Sequence, residues 1–227
     1  MTLREFGQSL TKDGVEGDLI KTIFVSLCTS LAILSVLYFL KLKYIENFIP
    51  KYGFYLLFAI LSYSLIILSV RHVRAYREFP CMTGMMLGMT LGMIAGFLSG
   101  FYVASTNGMF WGSLFGMAIG ILFGVWTGKC CGIMGVMEGT MAGFMGGLMG
   151  AMTAFMLLND HLKETAFVVF IISGFIILGL NYLVYKETRE MERKHKDSEL
   201  FTIILSFALT VVTTWIMVFG WRSALFQ

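Results

Sequence analysis

This sequence carries little charge, almost no proline and few histidines. Asp, Glu, Lys and Arg make up 14% of its 227 residues, against about 25% in a water-soluble domain. That shortage excludes a soluble globular enzyme, a nucleic-acid-binding module and a disordered chain. The net charge of +3 is too small to imply a polyanionic partner, so no nucleic acid is expected. Four Cys at irregular spacing are too few for a disulfide scaffold. There is no P-loop, nucleophile elbow or HExxH motif, and no histidine cluster for haem or iron, with only three His in all. The chain therefore does not read as an enzyme. What remains is apolar: 57% hydrophobic residues, mean hydropathy +0.79, 25 Gly and 17 Met. This composition predicts an all-α, polytopic transmembrane helical bundle in a lipid bilayer.

An apolar run of about 20 residues can cross a bilayer as a helix. Seven such runs are predicted: 19–40, 53–70, 81–103, 108–127, 132–156, 165–185 and 200–221. They divide the chain into a two-span segment (1–80), a Gly/Met-rich three-helix core (81–156) and a second two-span segment (157–227). No small-residue cleavage site follows the first run, which predicts a retained helix rather than a signal peptide. With seven spans, one side holds 12 of the 17 Lys and Arg, including Arg71, Arg74, Lys129 and Lys186. The positive-inside rule then places the N-terminus in the cytoplasm. Residues 186–199 alternate in charge at helical spacing, which predicts a solvated extension of the sixth helix.

Residues 81–156 contain 18 of the 25 Gly and 14 of the 17 Met. The other spans read as ordinary Leu, Ile, Val and Phe helices, expected to form a lipid-facing jacket. Glycines recur every fourth residue: Gly84 to Gly100, Gly108 to Gly128 and Gly135 to Gly147. In water each helix-interior Gly costs about 1 kcal/mol relative to Ala. In lipid, small residues one turn apart let helix backbones approach closely. A glycine-zipper core is expected, with the same stripes able to join a homo-oligomer.

The methionines of the fifth span (Met134, Met137, Met141, Met145, Met149, Met152 and Met156) recur at the helical period. They form a stripe roughly opposite the glycines. The third span adds Met82, Met85, Met86, Met89 and Met93. One reading makes these flexible apolar fillers beside glycine. The other makes them soft thioether ligands suited to Cu(I). Cys81 begins the third span, and Cys130 and Cys131 form the turn before the fifth, so a thioether path would end in thiols. Lys129 beside the pair is expected to favour thiolate formation. Glu138, two turns from Cys131, is the acidic residue inside the repeat and a functional candidate by default. It either serves a passing cation or pairs with Lys129 or a loop arginine. Asn159, Asp160 and His161 at the other end of the stripe could form a loading site.

The Met82/Met86, Met85/Met89 and Met89/Met93 pairs with interleaved glycines locally resemble the Ctr-type copper importers. Those carry MxxxM and GxxxG motifs and release Cu(I) to cytoplasmic ligands, but have three spans and a Met-rich outer tail. MEGTMAGFMGGLMGAM (137–152) looks more like a group of bacterial Gly/Met-rich membrane proteins, some joined to cupredoxin-type copper domains. That resemblance implies a bacterial plasma membrane, Cu(I) as cargo and a copper chaperone or cupredoxin as partner. The expectation is a membrane protein handling or transporting a soft metal ion through a Met-lined path to cytoplasmic Cys. The alternative is a structural subunit without metal.

Overall fold

Two kinds of turn signal set the middle of the chain. Pro80, with φ −52° and ψ 139°, stands at the N-cap of the third helix, where the missing N–H costs nothing. Gly108 (φ 101°) and Gly132 (φ 69°) adopt backbone conformations that a side chain disfavours, and each allows a tight reversal. The computed structural model describes residues 17–40, 52–75, 80–158, 160–188 and 199–220. Within them lie seven α-helices: α1 (Gly17–Leu40), α2 (Phe54–Ala75), α3 (Cys81–Asn107), α4 (Met109–Gly128), α5 (Gly132–Met156), α6 (Leu162–Thr188) and α7 (Glu199–Phe219). A 3-10 turn, Lys129–Cys131, joins α4 to α5. The protein is an all-α membrane bundle.

Six continuous helical stretches are long and apolar enough to cross a membrane; one, Met109–Met156, is 48 residues long and comprises α4, the turn and α5. That stretch doubles back on itself. Gly124 meets Gly139 and Gly128 meets Gly135 across the hairpin, so α4 and α5 run antiparallel. α3 runs antiparallel to α4 and parallel to α5, as Gly92 meets Gly139 and Gly96 meets Gly143. Together the three helices stack glycine layers: Gly88/Gly128/Gly135, Gly92/Gly124/Gly139, Gly96/Gly120/Gly143 and Gly100/Gly116/Gly147. A Cβ at Gly96 would stand 2.9 Å from both Gly143 O and Gly147 N. Such proximity lets carbonyl oxygens lie against facing Cα atoms, contacts worth about 0.5–1 kcal/mol each. Gly108 departs from the expected stripe, because it forms the α3–α4 turn rather than part of the fourth helix.

The expected leucine-rich jacket fails at α2, while α1 and α6 are the least enclosed stretches, 17% and 28% buried. α2 is the most enclosed of the apolar stretches, with 67% of its window buried against 39% for Met109–Met156. It packs against α1, α3, α6 and α7, and places Tyr63, Ile66 and Ile67 in the interior. The flanking helices are also not plainly aliphatic inside. α1 buries Thr22, Ser26 and Ser30; α7 buries Thr202, Ser206, Thr210 and Thr213. These hydroxyls recur one turn apart, and the Ser26 and Ser206 hydroxyls hydrogen-bond at 2.9 Å. Helices in lipid gain no hydrophobic drive toward each other, so close packing and interhelical hydrogen bonds hold them. The bundle uses backbone contact on one side and hydroxyl contact on the other. The charged extension of α6 beyond Thr188 and residue 159 lie outside the described residues.

Candidate functional site

The second reversal brings the three expected thiols to one end of the core. Cys130 Sγ lies 3.9 Å from Cys131 Sγ, and Cys131 Sγ donates to the Cys81 carbonyl oxygen at 3.1 Å. Cys130 Sγ donates to Thr127 O at 3.2 Å. Gly84 makes room for them: a Cβ there would meet both sulfurs, Cys130 Sγ at 2.8 Å. Cys81 and Cys130 are exposed and Cys131 is partly covered. The thiol of Cys131 is pushed up, by desolvation first, then by the charge of Cys130 and by hydrogen bonds to Cys130 and Cys81. Burial and the neighbouring Cys130 and Cys81 act at Cys131 against the thiolate expected beside Lys129. Among the described residues, no group of three His, Cys, Asp or Glu is arranged to hold a metal ion.

Methionines occupy the outside of the core, not its interior. On α5 the glycines face α3 and α4, so Met134, Met137, Met141, Met145, Met149, Met152 and Met156 all point away, from 44% exposed at Met152 to 70% at Met141. On α3, Met82, Met86, Met89 and Met93 are exposed and Met85 is half-buried. Met93 borders a cleft of about 280 Å³ with Phe97, Ile172 and Ile176 between α3 and α6. Its walls carry no charged side chain, so it suits lipid or an apolar group better than a bare cation. No methionine-lined path runs inside the described part of one chain. The reason is geometric: glycine-on-glycine contact fills the centre with backbone, and the larger residue type is left outside. The glycine stripes are likewise consumed within the chain and offer no face to a second copy.

Glu138 is half-buried on α5, and no hydrogen bond or ion pair joins it to Lys129 or to any other described residue. At the opposite end, His161 (φ 39°) approaches Asp160 at 3.7 Å and Glu164 at 3.3 Å, all exposed. Asn159, their expected companion, lies outside the described residues. Cys28 is exposed on α1, away from the other thiols.

A set of buried polar contacts absent from the expectations links α2 to α3, α6 and α7. His72 Nδ1 is 3.0 Å from Asn181 Oδ1, and Asn181 Nδ2 donates to Ser69 Oγ at 3.1 Å and to Ile177 O at 3.0 Å. Arg71 donates to Thr202 Oγ1 at 3.4 Å. The Ser62 and Tyr102 hydroxyls hydrogen-bond at 3.0 Å, and Thr213 Oγ1 donates to the Tyr63 hydroxyl at 3.1 Å. The signal was present as Arg71 and His72 at the end of an apolar run, but they read as loop residues. No family model, curated protein or solved structure matches this chain.

Proposed function

We propose that this is a membrane protein with seven crossings that handles a soft metal ion, with Cu(I) as the cargo its donors suit best. The observation that carries this reading is the methionine ladder of α5, which runs the length of the helix and begins at the Cys130/Cys131 turn. Twenty-three residues, Met134 to Met156, at about 1.5 Å each cover roughly the hydrocarbon thickness. Thioethers are soft, uncharged donors that select Cu(I), and thiolates are stronger soft donors. Three sulfurs around an ion at about 2.3 Å, the length of a zinc–thiolate bond, sit roughly 4.0 Å apart. The 3.9 Å between Cys130 and Cys131 is close to that spacing, so the proposed acceptor is this pair. Binding displaces the thiol protons, so the raised proton affinity of Cys131 makes uptake weaker as pH falls. The positive-inside asymmetry puts this thiol end in the cytoplasm.

The second reading is a structural membrane subunit without metal. It is favoured by the outward direction of the methionines, which suits apolar filler against lipid or a neighbour. Titrating the purified protein with Ag(I) separates the two. Wild type is expected to take up silver, and Met137, Met141 and Met145 changed together to Leu are expected to weaken uptake at least about tenfold. No uptake by wild type, or equal uptake by the triple variant, overturns the metal reading.

A further inference from the structure

We propose that the outward face of α5 is an interface between two copies of this chain, in which the methionine ladders meet and the two Glu138 carboxyls pair across a two-fold axis. Glu138 is the decisive residue. At 100° per residue it falls inside the arc of about 120° that holds the methionines of α5. It stands about 9 Å along the helix from Gly132. An ionisable group at that depth is costly against lipid, and such groups turn inward or find a partner. No described residue supplies one. α5 packs closely on α3 and α4, and its methionine face remains open.

A second copy supplies what the described residues of one chain do not. Copies inserted by the same route share one orientation, so a two-fold axis between them runs along the membrane normal. Equal residues then meet at equal depth. Glu138 faces its own counterpart, so each carboxyl meets a hydrogen-bonding group in place of lipid. The same operation sets Met141 and Met145 against their counterparts, and unbranched thioethers repack readily against one another. The glycines of α5 are already occupied, so this face is the one left for contact. The dimer needs no metal. Its consequence for transport rests on the soft-metal reading above: the sulfur path would then lie between chains and be incomplete in one.

The test is disulfide cross-linking in membranes. Cys28, Cys81, Cys130 and Cys131 are replaced by Ser, and Met141→Cys is oxidised with iodine, two thiols giving one disulfide and two iodide ions with release of two protons. Phe175→Cys, on the outward face of α6 and 72% exposed, is the comparison. Met141→Cys is expected to give at least about ten times more covalent dimer than Phe175→Cys. Glu138→Lys, which sets two ammonium groups together, should cut that yield about tenfold, and Glu138→Gln, whose amides can pair, should keep it within about twofold. Equal yields at both cysteines, none at Met141→Cys, or no effect of Glu138→Lys overturns the proposal. Independently, the unsubstituted 25.5 kDa chain in detergent should run at twice that mass, and a monomer at every concentration overturns it. Silver uptake by the unsubstituted protein keeps the two readings separate. A dimer without uptake retains the interface and removes the metal; uptake without cross-linking does the reverse.

Discussion

The proton positions around Asn181 follow from its partners alone. The Ile177 carbonyl can only accept, so the atom bonded to it must be the amide nitrogen of Asn181. Its oxygen therefore faces His72, and His72 Nδ1 must carry the hydrogen. In the neutral ring the lone pair then lies on Nε2. Asn181 thus fixes the tautomer of a buried histidine while tying α6 to Ser69 of α2. Asn181→Ala strips partners from two buried groups and should cost about 1–3 kcal/mol. The drop is read from thermal unfolding in detergent, and an unchanged midpoint would show that the network does not hold the helices together. Within 54–75 the local sign of this role was Arg71 and His72 at the end of an apolar run, a pattern that fits a loop equally well. Polar residues scattered through an apolar run acquire meaning only when a residue more than a hundred positions away is placed beside them.

At the level of elements, the glycines make a sharper case, because spacing alone revealed their packing. A four-residue repeat in three successive helices implies small faces in mutual contact, and the layers through Gly92, Gly124 and Gly139 have that form. Gly146 and Gly150 escaped the pattern. They lie off the four-step series, yet a Cβ at Gly146 would run into the Met93 carbonyl of α3 and one at Gly150 into that of Phe97. Gly174 and Gly179 on α6 have open space around them. Gly139→Ala should therefore cost about 1–3 kcal/mol through overpacking, whereas Gly174→Ala should gain about 0.5–1 kcal/mol of helix preference. Paired melting curves of the two variants check the contrast, and equal shifts would refute it. The starts of α3 and α5 were legible, expected at 81 and 132, but α2 and α3 run on to Ala75 and Asn107, past the expected ends at 70 and 103. The direction of the methionines was less legible. Their periodicity gave a stripe opposite the glycines, but which stripe faced inward depended on backbone contact winning the centre.

Across the whole molecule, the ends of α2, α4 and α7 share one face with the thiol turn. Arg74 of α2 stacks over Phe201 at 4.1 Å and Trp126 at 5.7 Å, drawing these three helix ends together. A cation held over aromatic rings at a helix end is suited to the boundary between lipid and water. That face also carries Lys129 and Lys186, and the orientation proposed from the charge asymmetry makes it the cytoplasmic one. A membrane-impermeant maleimide should therefore label Cys130 in inside-out vesicles and not in right-side-out ones. Labelling with the opposite sidedness would invert the orientation and turn the proposed acceptor thiols into outward-facing ones.

The glycine layers also constrain how the sequence can change. At Gly124 each facing residue of the layer is itself glycine, so a substitution there adds atoms against a surface with nothing left to trim. In most cores a bulky lesion is rescued by shrinking a neighbour. Here no neighbour in the layer can shrink, and a screen for second-site suppressors of Gly124→Val should return reversion to glycine in place of a compensating change within the layer.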